Sequence, residues 1–345
     1  MDVLTVYLEG TANTLKPTTT QIGELFANTA GVDITDPRVE LDVKSGAPLQ
    51  CKMGFDGCGV TNGLPGVIWA FGLATQCDAI RARVDALISA RHLPLRIVVL
   101  GLSRGGIGAL MLAQRLRGAV PAGQISLHLC LFDPVPGNLI ITVRLFDWFG
   151  ISTAKGVMDV SDTPIERALA IYPHEALPDL AFHAPIMPRY PSGCELDEDS
   201  TLGCHQGALY PPSRRLPKQW FAACALSQHR VIAFLEASGT RFVPGSATPS
   251  AASLAPTCLQ LCEEALGEKC QSTRASHAAG GVGTIVRHHS GRLLNNHHRI
   301  LLKSLAPDDP RVSAASRRDD AEEPVLMLEV IRGYPHSGSG SGRAV

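Results

Sequence analysis

Apolar residues in this chain fall in short unbroken runs, separated by longer stretches with helical spacing. That layout suits strands buried on both faces that alternate with helices. Leu4–Leu8 reads as the first strand and ends at Glu9-Gly10-Thr11, and the polar stretch after it can open a loop or a helix. Cys51–Gly66, with five glycines and a proline, reads as a long irregular loop, while Val67–Ala90 has helical spacing and few breakers. Ile97–Leu100 is the next strand, Ile107–Arg117 the next helix, and Ile125–Phe132 a strand running into Asp133-Pro134. The alternation predicts an α/β fold, a mostly parallel sheet flanked by helices.

Beyond Asp133 the pattern loosens. Leu139–Phe149 is apolar, Thr163–Ala170 looks helical, Pro173–Pro191 is rich in proline, and the acidic run Glu195, Asp197, Glu198 and Asp199 reads as a solvated loop. Leu226–Ala237 reads as a closing helix. Gly239–Pro256 is dominated by small and turn-forming residues, which places a boundary near 245. Residues 1–245 are expected to form the main domain. Residues 246–345, with a helical candidate at Thr257–Leu266, a basic His-rich middle and a Ser-Gly tail, are expected to be a partly helical, partly disordered extension.

Composition narrows the function classes. A net charge of -1 gives no general electrostatic footprint for nucleic acid or anionic lipid. No apolar run is long enough for a membrane helix and the N-terminus lacks the layout of a secretory signal, so a soluble protein, cytoplasmic by default, is expected. The ten cysteines are scattered, several in strand-like runs such as that of Cys130, and read as buried free thiols rather than staples. Cys258, Cys262 and Cys270, with His288, His289, His297 and His298, match no zinc-module spacing. No metal and no cofactor are expected, and metal or partner binding by the last hundred residues is a minor reading.

The chemistry centres on Gly101-Leu102-Ser103-Arg104-Gly105, at a strand-to-helix corner. Such a corner strains the serine into an exposed turn, and the glycines keep side chains out of the neighbouring strand and helix. The bland alternative is a glycine-rich turn whose serine caps the helix. A serine hydroxyl needs a histidine base and an acid to orient it, in the chain order Ser, acid, His. Asp133, at the carboxyl end of the strand after the elbow helix, is the first choice of acid, and Asp179 in Ala176-Leu177-Pro178-Asp179 is its rival. His205, in Leu202-Gly203-Cys204-His205-Gln206-Gly207, is the candidate base. His128 reads as packed in a strand, His174 and His183 fall in the proline-rich segment, and His229 falls in a helix. The Arg104 N–H and the loop Gly10, Thr11 and Ala12 are the candidate oxyanion donors, and the Arg104 side chain could brace these loops against Glu9 or Asp56.

Five blocks in order resemble the α/β hydrolase-like domain family that includes the type VI secretion lipase effectors. They are Val6–Asn13, Gly57–Thr61, Gly101–Gly105, Leu131–Val135 and Leu202–Gln206. The resemblance spans roughly residues 4–237, and His174–Pro188 is similar to the family's proline-bearing stretch, with Asp179 where a family aspartate falls. The chain departs from the family pattern at Glu9, Pro134, Leu202 and Gln206, and it lacks the glycine run after the histidine. The resemblance implies an α/β-hydrolase-like fold and a Ser103–His205–Asp133 triad acting on acyl esters, lipids or phospholipids among them. The alternative is an inactive hydrolase-like binding module. A peptidase or thioesterase would use the same triad.

Overall fold

The computed structural model describes residues 1–17, 20–40, 47–61, 72–118, 123–135, 156–175, 186, 188–204, 218–246, 272–277, 283–288 and 325–326. Its main body is a seven-stranded sheet in which every neighbouring pair is parallel. The strands are β1 (Asp2–Leu8), β2 (Val32–Asp33), β3 (Gln50–Phe55), β4 (Leu95–Leu102), β5 (Ile125–Phe132), β6 (Ile165–Glu175) and β7 (Glu195–Cys204), in the order β2-β3-β1-β4-β5-β6-β7. The helices are α1 (Gln21–Asn28), α2 (Leu73–Arg91), α3 (Arg104–Leu116) and α4 (Lys218–Ala237).

Alternate residues of each central strand feed two cores, as the two-residue period of a strand requires. Leu4, Val6 and Leu8 of β1, Ile97 and Val99 of β4, and Leu127, Leu129 and Leu131 of β5 pack with α2 and α3 on one face. Val3 and Tyr7, Val98 and Leu100, and Cys130 and Phe132 pack with α1 and α4 on the other. Two-sided burial explains the unbroken apolar runs of β4 and β5.

Three local expectations are corrected. Thr163–Ala170 is not helical, because Ile165–Glu175 is β6. Glu166, Arg167, Ala168 and Leu169 favour a helix locally, but the slot beside β5 buries Ala168, Leu169, Ala170 and Ile171, and tertiary burial overrides propensity. The acidic run is not a loop but the start of the edge strand β7, where charges discourage pairing with another chain. The first part of Cys51–Gly66 is not irregular: Gln50–Phe55 is β3, and Gly54 is a packing glycine, since a Cβ there would run into Leu15 and Phe26.

The polar stretch after β1 leads to α1, whose N-cap Thr20 accepts from the Gly23 N–H at 3.1 Å. Cys51, Cys58, Cys77 and Cys130 are buried free thiols. His128 is packed in β5, its Nδ1 2.9 Å from Ser238 Oγ. Within 246–345, β8 (Ser272–His277), β9 (Gly283–His288) and β10 (Val325–Leu326) form an antiparallel sheet, and β8 lies against β6 and β7. The helical candidate Thr257–Leu266 lies outside the described residues, as do Cys258, Cys262, Cys270, His289, His297 and His298. Among the described residues no helix is long and apolar enough to cross a membrane, and no group of side chains could hold a metal ion.

Candidate active site

The corner after β4 has the strained backbone that its sequence calls for. Ser103 sits at φ 55°, ψ −118°, a conformation L-residues rarely adopt, and α3 starts at the next residue. Its hydroxyl makes no capping bond to α3, which removes the helix-cap explanation for the serine. Both flanking glycines are sterically required. A Cβ at Gly101 would strike the Gly105 carbonyl, and one at Gly105 would strike the Leu8 carbonyl of β1. The corner is fastened sideways: the Ser103 N–H donates to the Phe132 carbonyl at 2.9 Å, and the Ser103 carbonyl accepts from Gly106 N–H at 3.0 Å.

Asp133 follows on the adjacent strand. Phe132 pairs with Leu102, so Asp133 stands beside Ser103 at the carboxyl edge of the sheet, where ligands of parallel sheets gather. Asp133 is buried and left-handed at φ 46°, and its N–H donates to the Ile171 carbonyl at 2.8 Å. Its charge also reaches Tyr172, whose hydroxyl is pushed well above the usual phenol range by burial first and by neighbouring Tyr190, Glu198 and Asp133 second. Two adjacent strands are therefore followed by positive-φ residues, one carrying a hydroxyl and the other a carboxyl.

The loop after β1 forms the third side. Ala12 is left-handed at φ 60°, and its N–H donates to the Cys58 carbonyl at 2.9 Å. The Asn13 N–H donates to the Gly10 carbonyl at 3.0 Å, and the Gly10 N–H reaches Glu9 Oε2 at 3.3 Å. The Thr11 N–H carries no such bond among the described hydrogen bonds. Gly57 N–H donates to the Asn13 carbonyl at 2.9 Å and Asp56 Oδ1 accepts from the Leu15 N–H at 2.8 Å, so main-chain bonds knit the loop to the end of β3. Gly57 must be glycine, because a Cβ would overlap the Gly10 carbonyl. Arg104 extends from the elbow to this loop, where Nη1 donates to Thr11 Oγ1. The sequence pointed Arg104 at Glu9 or Asp56. In the structure Glu9 accepts from Thr20 and Gly10, and Asp56 accepts from Leu15.

The structure thus brings together Ser103, Arg104, Asp133 and the loop Gly10, Thr11 and Ala12. His205 follows Cys204, the last residue of β7, and lies outside the described residues; Asp179, four residues past the end of β6, does too. Glu9 is a feature that the sequence showed as a departure from a pattern and as a candidate partner of Arg104. Burial pushes its carboxyl up to about 7, with Asp56 adding to the rise and hydrogen bonds from Thr20 and Gly10 opposing it. The legible signal was an acid directly after the apolar Val6-Tyr7-Leu8.

No protein-family model matches the chain. No curated protein matches it. Among solved structures it is similar to an uncharacterized protein from Pseudomonas aeruginosa, with a TM-score of 0.47 and 13% identity over 76% of this chain and 50% of that one. The chain therefore spans half the length of that protein. It is also similar to a candidate cell surface hydrolase from Lactobacillus plantarum, with a TM-score of 0.40 and 11% identity over 68% of this chain and 92% of that one. A candidate hydrolase from Agrobacterium vitis matches with a TM-score of 0.40 and 13% identity over 69% of this chain and 88% of that one. At these values the likeness carries no residue roles across. What stands on the chain's own geometry is a wholly parallel seven-stranded sheet flanked by helices, with a strained serine corner where β4 meets α3.

Proposed function

We propose that this chain is a serine hydrolase that cleaves acyl esters, lipid and phospholipid esters among them, through Ser103, His205 and Asp133. The observation that carries the reading is the corner at Ser103: a left-handed serine between a buried parallel strand and a helix, with no capping bond. The ordered sequence blocks supply the lipid part of the reading, through their resemblance to the type VI lipase effector family.

In this mechanism Ser103 Oγ attacks the ester carbonyl while His205 takes its proton. The carbonyl π pair moves onto oxygen, and the oxyanion is met by the Arg104 N–H at the start of α3 and by the loop after β1. With the Gly10, Ala12 and Asn13 amides committed to Glu9, Cys58 and Gly10, Thr11 N–H is the second donor. Collapse expels the alcohol, which takes the proton from His205 and leaves an acyl-serine. Water, deprotonated by His205, then releases the acid and restores the serine. Asp133 orients the imidazole and stabilises its charged form.

The test is covalent labelling with a fluorophosphonate, alongside release of nitrophenol or fatty acid from esters of graded chain length. Wild-type protein should be labelled at Ser103, and Ser103→Ala and His205→Ala should lose turnover by roughly four to six orders of magnitude. Folded protein that takes no label and releases nothing from any ester would make the chain a binding module instead.

A further inference from the structure

Glu9 is buried where β1 ends, 1% exposed, and its two oxygens reach in different directions. Oε2 accepts the Gly10 N–H at 3.3 Å, in the loop beside the serine corner, and Oε1 accepts from the Thr20 hydroxyl. Thr20 Oγ1 in turn accepts the Gly23 N–H at 3.1 Å, so a continuous line of hydrogen bonds runs from the loop into the first turn of α1. Other elements enclose this carboxyl. The end of β3 presents Asp56, α3 sends Arg104 to Thr11, β4 presents apolar Leu102 against Gly10, and α1 presents the Thr20 hydroxyl and the Gly23 amide.

We propose that Glu9 is a proton-sensitive latch on the loop Gly10–Ala12: the neutral carboxyl holds the loop closed against α1, and the ionised carboxylate loosens it. In the neutral form one oxygen donates its hydrogen to Thr20 Oγ1, which can still accept the Gly23 N–H, and the other oxygen keeps the Gly10 N–H. Ionisation places a charge in a buried site where a neutral amide and a hydroxyl bind Glu9, and moving the loop outward is the way to hydrate it. The carboxyl titrates at about 7 in the closed loop, well above its usual value. Linkage then fixes the sign, because an acid harder to ionise in the closed state than in water favours closure below that pH and opening above it. Glu9 acts through the loop and does not touch substrate, so it is a positioning residue.

The catalytic arm of this inference rests on the Ser103 reading, and the structural arm does not. The structural arm is amide exchange of residues 8–15 in the full chain, corrected for intrinsic rates, between about pH 5.5 and pH 8.5. Wild type should lose protection above pH 7 at a rate approaching tenfold per pH unit, and Glu9→Gln, permanently neutral, should hold it. Thr20→Val removes the tie between Glu9 and α1, so it should lower the protection of residues 8–15 already at pH 5.5, and it serves should Glu9→Gln not fold. Matching pH dependence in wild type and Glu9→Gln, or unchanged low-pH protection in Thr20→Val, overturns the latch. In the catalytic arm, fluorophosphonate labelling should be bell-shaped in wild type and should lose its alkaline limb in Glu9→Gln. Differential exchange without labelling at any pH supports the latch and removes the Ser103 reading.

Discussion

Replacing Asp133 by asparagine separates the chemistry of the proposed triad from its scaffolding. Asparagine tolerates the left-handed φ of 46° at this position, whereas alanine would add roughly 1–2 kcal/mol of backbone strain. The variant also keeps the N–H that donates to Ile171 at 2.8 Å, so the end of β5 should stay in place. Its stability in urea should therefore change by less than about 1 kcal/mol, the range of a near-isosteric swap. Catalysis should respond very differently. An amide in place of the triad acid holds the imidazole in the wrong tautomer and forgoes its charge, which costs about 10⁴ in turnover, or about 5 kcal/mol of transition-state stabilisation. The assay is steady-state hydrolysis of a short nitrophenyl ester, read beside urea unfolding of the same preparation, with Asp179→Asn as the parallel variant. Full turnover in Asp133→Asn with collapse in Asp179→Asn would move the acid to Asp179. Unimpaired turnover in both would refute a carboxylate-oriented histidine.

Three further outcomes follow from other contacts. Gly105→Ala should destabilise the chain by about 1–3 kcal/mol in denaturant unfolding and impair labelling of Ser103, because the new Cβ enters the Leu8 carbonyl; a neutral effect would contradict the close approach of α3 to β1. Asp2 and Arg91 form a buried two-point pair at 2.8 and 3.0 Å, and Asp2 also accepts the Leu49 N–H at 2.8 Å, so Arg91→Met should cost about 3–5 kcal/mol. Burial opposes ionisation of Asp2, but the bonds from Arg91 and Leu49 outweigh it and hold the carboxyl below its usual value, so wild type should lose this contribution as pH falls through that lowered value. Glu9 has the opposite sign. Its carboxyl is raised from 4.5 to about 7, so its stabilising contribution is complete below 4.5 and fades by pH 7; the loss is about 3 kcal/mol, absent from Glu9→Gln in unfolding measured across that range.

The sequence was most legible where burial is two-sided. β1, β4 and β5 carry apolar residues on both faces, so their runs announce them whatever their neighbours do. β6 and β7 were misread because their charged residues sit near the rim of the sheet. Glu195 pairs with Arg167 across the strands, a contact invisible until the strands are aligned. The serine corner was legible because close approach demands glycine, and the same demand at Gly57 passed for loop composition. Thr20 could not be tied to Glu9, since ten residues separate the partners along the chain and only the docking of α1 brings them together. Asp133 was found by its place after a strand, but its left-handed backbone was not, since aspartate before proline suits several turns.

The sideways fastening of the strand ends has an evolutionary consequence. The Ser103 N–H binds the carbonyl just before Asp133, and the Asp133 N–H binds Ile171, so β4 and β5 end like successive treads of one staircase against the body of β6. The carboxylate on the second tread is held by that banister. Substitutions of the Asp133 side chain that keep its backbone N–H would then leave the nucleophile's support undisturbed, and a lineage could lose and regain the acid without ever passing through an unsupported serine.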